Sequence, residues 1–361
     1  MSLRKGSNLI AGTQDVAQQL IATGSEGSAN PVSSVAVNAA LSVRDAEIAE
    51  LGEVKVPMIG KGINLLDDWY FIGGGTGENF PINQRGVSSY PNQGYTVDRW
   101  YLQKSSPYSA AVSVQSNCVR VTNPADSSFA NFIQPILASD FRGKTVTLSM
   151  LANVSSGKAY ARIVVDTQAI GRSANYTLDE HAEITNGFAT LTVTIPDSAN
   201  SVYIQATVEL QGSTADTVDI YAVKLELGSQ QTLARNIGTE ANPQWVLNDT
   251  PPNYQQELAK CQRYYFNSGS SAPGAFVAVA QNASFLFGEF RFPVKMRAIP
   301  TLNIKDYAST TGCVSIWNAS QNGISVSPNT ATLNHYGFNA LGGTFTVGAV
   351  YAFQVEASAE L

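Results

Sequence analysis

Few side chains in this sequence are equipped for acid–base, nucleophilic or metal chemistry. Its 361 residues include two histidines, His181 and His335, and three cysteines, Cys118, Cys261 and Cys313. The histidines stand in H-A-E and N-H-Y contexts that match no catalytic motif, and no G-x-S-x-G elbow is present. No His or Cys cluster has zinc spacing. The pairs Asp67 with Asp68 and Asp216 with Asp219 are too sparse for an EF-hand calcium loop. The run IGGGTGEN (72–79) lacks the Lys-Ser/Thr of a phosphate-binding loop and leads into no helical pattern, so it reads as a turn. Paired carboxylates stay open, because glycoside hydrolysis takes two Asp or Glu about 5–10 Å apart from segments distant in sequence. Glu209, Asp219, Glu289 and Glu356 are such carboxylates, yet on strands these residues commonly guard solvent faces against edge pairing. The expectation is a protein with no catalytic residue, no metal and no cofactor.

Recognition chemistry is better represented. NLLDDWYF (64–71) is followed by PINQRGVSSYPNQGYTVDRW (81–100), which sets Trp, Tyr and Arg among Gly, Pro, Asn and Gln. Two roles compete for this stretch. Trp100 and Tyr101 can bury against a core, with Arg99 pairing Asp98 or a nearby carboxylate. Alternatively, the rings of Trp69, Tyr70, Tyr90 and Tyr95 can stack on the C–H face of a sugar while Arg85, Asn83 and Gln84 hydrogen-bond its hydroxyls. The candidate carbohydrate-binding residues are Trp69, Tyr70, Arg85, Tyr90 and Tyr95. A second aromatic cluster at 264–292 is dominated by Phe, which cannot bond a hydroxyl, and is assigned to core.

Composition narrows the partners. Only 14% of residues are charged, below the usual quarter or so, while 44% are hydrophobic. The net charge is −6 and no basic run occurs, which argues against nucleic acid. No apolar stretch approaches the ~18 residues of a spanning helix, so no membrane insertion is expected. MSLRKGSNLIAGTQDVAQQ has no apolar core of a secretory signal. The odd, scattered cysteines make no disulfide framework, which places synthesis in a reducing cytoplasm.

The elements that must position these side chains are mainly β. Residues 1–60 differ from the rest and carry the helical patterns. In SVAVNAALSVRDAEIAEL (34–51), Val37, Leu41, Ile48 and Leu51 fall at heptad spacing; Ser34 and Arg44 interrupt it. One amphipathic helix packed on its own domain and an oligomerisation seam both fit that pattern. From residue 61 the period becomes two. CVRVTN, KTVTLSMLANV, YARIVVD, FATLTVTIP, VYIQATVEL and TVDIYAVKLELG alternate between Gly, Asn, Ser and Pro clusters, as in a β-sandwich. The expected organisation is a helical attachment region (1–60), a jelly-roll domain (61–232), a linker (233–252) and a second β-sandwich (253–361).

NLLDDWYF, PINQRG and GYTVDRWYL (94–102) together resemble the opening of tail-fibre and receptor-binding proteins of bacteriophages and prophages. DIYAVKLELGS (219–229) is similar to the closing strand of the carbohydrate-binding-module-like jelly roll in those proteins. ELAKCQRYYF (257–266) and FRFPVKMRAIPTLNI (290–304) are similar to their C-terminal β module. The resemblance spans roughly 63–361; the insert GGGTGENF (73–80) departs from it. It implies a virion surface protein, a homotrimer joined to other virion proteins by its N-terminal region, with a bacterial surface glycan as partner. The function implied is host-surface recognition. A head-fibre, decoration or adaptor protein with no sugar ligand is the alternative, followed by a glycan-degrading tailspike.

Overall fold

Alternating apolar residues build two six-stranded sheets that face each other. The computed structural model describes residues 62–105, 109–124, 128–211, 216–269, 276–317, 321–326, 330–331, 335–341 and 344–361. All belong to one unit, Lys61–Leu361. The oligomerisation candidates Val37, Leu41, Ile48 and Leu51 lie outside the described residues.

The first module contains β1 (Ser89–Tyr90), β2 (Gly94–Tyr95), β3 (Tyr101–Lys104), β4 (Ala111–Val114), β5 (Val119–Asn123) and β6 (Phe129–Leu137). It continues with β7 (Thr145–Ser156), β8 (Ala159–Asp166), β9 (Leu178–Glu183), β10 (Phe188–Thr194), β11 (Tyr203–Gln211) and β12 (Asp216–Leu227). One sheet runs β1-β4-β5-β12-β7-β10 and the other β2-β3-β6-β11-β8-β9, with every described pair antiparallel. Successive side chains of a strand point to opposite faces. Ile204, Ala206, Val208 and Leu210 of β11 therefore all point inward, and so do Val146, Leu148, Met150 and Ala152 of β7. Each fully buried Val, Leu or Ile contributes about 1.5–3 kcal/mol, so this alternation fixes which face of each strand is core. A register shift between Ile220 and Ala222 changes the phase of β12, so that Val218 and Ile220 before it and Val223 and Leu225 after it all reach the core.

Residues 233–252 hold a short hairpin, β13 (Ala234–Asn236) with β14 (Trp245–Leu247). It lies against the sandwich: Leu233 and Ala234 join the core, and Trp245 stacks on Phe188 with ring centroids 4.2 Å apart.

After Pro251 and Pro252, Asn253 caps α1 (Tyr254–Gln262) by accepting the Gln256 N–H at 3.0 Å. The second module follows: β15 (Tyr265–Asn267), β16 (Phe276–Asn282), β17 (Phe285–Arg291), β18 (Thr301–Lys305), β19 (Cys313–Ile316), β20 (Ile324–Ser325), β21 (Thr330–Ala331), β22 (His335–Leu341) and β23 (Val350–Ser358). A second β-sandwich is expected here from the sequence; its nine strands form one system joined through β23. The first half of β23 pairs with β16 and β19, and its second half with β15 and β18. Its length lets one strand serve both ends of the module. Val355 and Ala357 place its C-terminal half in the core, and Ala359 just beyond it joins them.

Candidate functional site

The two ends of the stretch 81–100 are buried, at 81–82 and 96–100, while 86–89 and 91–93 between them are exposed. Trp100 is fully buried, stacks on Phe132 at 4.6 Å and donates its indole N–H to the Asp68 carbonyl at 2.9 Å. Arg99, almost wholly buried, bonds Glu360 at 2.9 Å, Asp67 at 3.3 Å and the Pro135 carbonyl at 3.1 Å, with its guanidinium 3.4 Å from the Tyr264 ring centroid. It thus bypasses its neighbour Asp98. That carboxylate is met by Arg85 at 3.1 Å and by the Gln84 amide at 2.7 Å. The Arg85 guanidinium also lies 3.8 Å from the Tyr265 ring centroid.

Of the five candidates for sugar contact, Trp69 and Tyr90 are buried and Tyr70, Arg85 and Tyr95 are half-buried. Trp69 and Tyr90 are only 6% and 8% exposed and belong to the core. Tyr70 packs edge-on against Trp69 and Phe80 at 5.8 and 5.6 Å. The Tyr95 hydroxyl donates to the Leu361 carbonyl at 2.7 Å, and Arg85 is held by Asp98. These rings bury because the first module needs an apolar cover at this end and the second supplies partners for its polar atoms. The Gly-rich insert is docked rather than loose. Tyr254 of α1 donates to the Gly77 carbonyl at 3.0 Å, and a Cβ on Gly75 (φ 64°) would stand 3.0 Å from Val114.

Burial governs the charges of this seam. It pushes the Asp98 carboxyl up to about 7, against the opposing pull of Arg85 and Gln84. It also raises Asp68 well above the usual carboxylate range, with Asp98 and Glu257 adding to the rise. Asp68 accepts the Ile82 N–H at 2.7 Å through one oxygen, and the other has no hydrogen-bond partner.

An open groove of about 760 Å³ lies elsewhere, on the outer face of the sheet β2-β3-β6-β11-β8-β9. The strand registers arrange its side chains in rows. Gln103, Asn131, Glu209, Tyr160 and Glu183 face one another in one row across five strands. Tyr101, Ile133, Thr207, Arg162 and His181 form the next. Tyr101 therefore belongs to this outer face and not to the core expected for it. Tyr160 meets His181 edge-on at 5.4 Å.

Arg162 organises the middle of the groove. It grips Asp179 with two bonds of 2.8 and 2.9 Å and Glu209 with one of 2.6 Å. Burial opposes its charge, but the two carboxylates outweigh that and raise its affinity for the proton. For Asp179 burial is likewise outweighed, by Arg162 and Arg172, and its carboxyl is held below the usual range. The loop after β8 closes one end. Asp166 accepts the N–H groups of Thr167, Gln168 and Ser173, and Gln205 donates to the carbonyls of Gln168 and Gly171.

Three polar atoms of the groove residues are left over. Asn131 Oδ1, Thr207 Oγ1 and Glu209 Oε2 have no hydrogen-bond partner, although their residues are only 6%, 1% and 3% exposed. A buried polar atom without a partner costs about 1–3 kcal/mol. The three atoms lie together just beneath one groove face, shielded from solvent. Half-buried Tyr160 and Phe129 supply apolar ring surface beside them.

Of the carboxylates weighed for hydrolysis, Glu209 lies in this groove, Asp219 pairs with Arg120 on the opposite sheet, and Glu356 pairs with Lys305 in the second module, while the Glu289 side chain lies outside those described. The first three do not come together. Among the described residues, no group of three or more His, Cys, Asp or Glu is placed to hold a metal ion. Apart from Glu209, weighed only for hydrolysis, the groove residues are missing from the sequence-based candidates. Their one signal is the strand YIQATVELQ, whose polar positions Gln205, Thr207 and Glu209 alternate with core residues.

No protein-family model matches the sequence, and no curated protein does. Solved structures do match. A CBM4 carbohydrate-binding module is 22% identical, over 41% of this chain and 93% of its own, with a TM-score of 0.30. The enzymatically active domain of tailspike protein 4 from bacteriophage CBA120 is 18% identical, over 36% of this chain and 19% of its own, with a TM-score of 0.29. The N-terminal cellulose-binding domain of Cellulomonas fimi β-1,4-glucanase C is 15% identical, over 40% of this chain and 97% of its own, with a TM-score of 0.24. Similarity at this level assigns no function to the chain.

Proposed function

We propose that this chain is a non-enzymatic glycan-recognition protein whose binding site is the concave outer face of β3, β6, β11 and β8. The observation that carries the proposal is the convergence of Asn131 Oδ1, Thr207 Oγ1 and Glu209 Oε2, buried and without partners, on one groove. In this reading the three side chains turn outward on binding to accept from sugar hydroxyls, and the C–H face of a pyranose covers Tyr160 or Phe129. The wider role in this proposal is that of a phage virion fibre: host-surface recognition by a homotrimer joined to the particle through its N-terminal region. A glycan array and a whole-cell adsorption assay with the full chain test the binding role. Binding that Thr207→Val and Tyr160→Ala weaken supports it; an array and cells left unbound by the parent overturn it.

A structural adaptor that binds no sugar is the second reading, and one observation favours contact with protein. Phe287, Val279 and Val350 form an exposed apolar row across three strands of the second module. In this proposal the occupant of that row is another copy of the chain, consistent with the heptad spacing at 37–51. Light scattering should give three times the 38.5 kDa of one chain. A monomer at micromolar concentration contradicts self-assembly and leaves the glycan site standing.

A further inference from the structure

Away from the concave face, a groove of about 530 Å³ runs between α1 and residues 294–297. Lys260, Arg263, Lys295 and Arg297 line it, and no carboxylate does. Four of eight lining residues are cationic, in a chain with 22 Lys and Arg among 361 residues and a net charge of −6, so composition alone does not produce the cluster.

The four cations are differently placed. Lys260 is committed to Glu257 at 2.9 Å. Arg297 is fixed in position by carbonyls rather than by a counter-charge: its Nε donates to Ala359 at 3.0 Å and its Nη2 to Glu360 at 3.3 Å. Its backbone N–H donates to the Arg263 carbonyl at 2.7 Å, which sets the two Arg residues side by side. Arg263 and Lys295 are exposed and meet no carboxylate among the described residues. Like charges gathered without counter-charges repel one another, and an anion relieves that repulsion. Guanidinium groups suit the paired oxygens of a carboxylate or phosphate. Half-buried Ala259 and Val294 add apolar surface, which a bare inorganic anion would leave unused and the C–H face of a sugar ring would cover.

We infer that this groove binds an anionic glycan, through a carboxylate or phosphate carried on a sugar, as a second site independent of the concave face. Affinity there falls steeply with added salt, as expected for exposed charges.

The test titrates the full chain with trigalacturonate for the carboxylate source, phosphorylated dextran for the phosphate source, plain dextran as the neutral control, and a short DNA duplex. The expected result is binding of one or both charged glycans, lowered at least about tenfold by Arg263→Glu with Lys295→Glu. Lys144→Glu with Lys158→Glu, the same change of net charge elsewhere on the surface, leaves it intact, and so does Thr207→Val. If the charge reversal lowers the melting temperature, Arg263→Gln with Lys295→Gln replaces it. The inference is overturned if neither charged glycan binds more tightly than dextran, if the control pair loses as much affinity, or if DNA binds more tightly than either glycan. Loss of neutral-glycan binding in Thr207→Val bears on the concave face alone, so failure of one site is distinguishable from failure of the other.

Discussion

A single hydroxyl separates a binding role from a structural one. Thr207 Oγ1 has no partner, so Thr207→Val removes a polar atom that nothing in the protein satisfies. Its expected effect is an unchanged or slightly higher melting temperature with glycan affinity lowered by about 0.5–1.5 kcal/mol, or roughly threefold to tenfold. Calorimetric titration beside a thermal melt reads both. A lower melting temperature with affinity intact would mean that the hydroxyl is structural. Tyr160→Ala should cost about 1–3 kcal/mol of binding, by analogy with base stacking on aromatic rings. At this scale the sequence was a poor guide. The aromatic density at 69–101 was legible, but Trp69 and Tyr90 have the same composition whether they face a sugar or a core. Which one they face depends on core partners distant in sequence: the Val223 N–H of β12 donates to the Trp69 carbonyl, and Tyr90 pairs with Val112 of β4.

At the scale of the element, β11 explains both the success and the failure of pattern reading. Its apolar positions mark the core face directly, and from that alternation the sandwich follows. Its polar positions look like an ordinary solvent face, because nothing local reveals that β3, β6 and β8 curve around them. Burial of Gln205, Thr207 and Glu209 is a property of the sheet and not of the strand. The loop after β8 is a second element whose order is not written in its own pattern. One carboxylate, Asp166, holds it by accepting from Thr167, Gln168 and Ser173, and those bonds outweigh burial and lower its proton affinity. Asp166→Ala should therefore destabilise the module by about 1–3 kcal/mol and speed amide exchange across 167–177 more than in β11. Equal exchange in the two segments would show that the loop is held by something else.

For the molecule as a whole, the seam between the modules is the part that sequence could not supply. Arg85 and Arg99 reach Asp98 and Glu360 across separations of up to 275 residues. The seam also sets a pH dependence. Burial lifts Asp98 from an unfolded value near ~3.9 to about 7 in the folded chain. The folded state therefore holds that proton more tightly. Its stabilising contribution is fully present below about pH 4 and is lost as the pH rises through about 7. The melting temperature should fall between about pH 4 and about pH 7, and Asp98→Asn should flatten the fall; an unchanged slope in that variant would assign the effect to another group. A crystal structure of the full chain with an array-selected oligosaccharide is the decisive measurement for the concave face. Sugar hydroxyls should stand within hydrogen-bond distance of Asn131, Thr207 and Glu209, with a ring against Tyr160 or Phe129. A sugar bound instead at Trp69, Tyr70 and Tyr95, or anywhere that leaves those three atoms without partners, would contradict that placement.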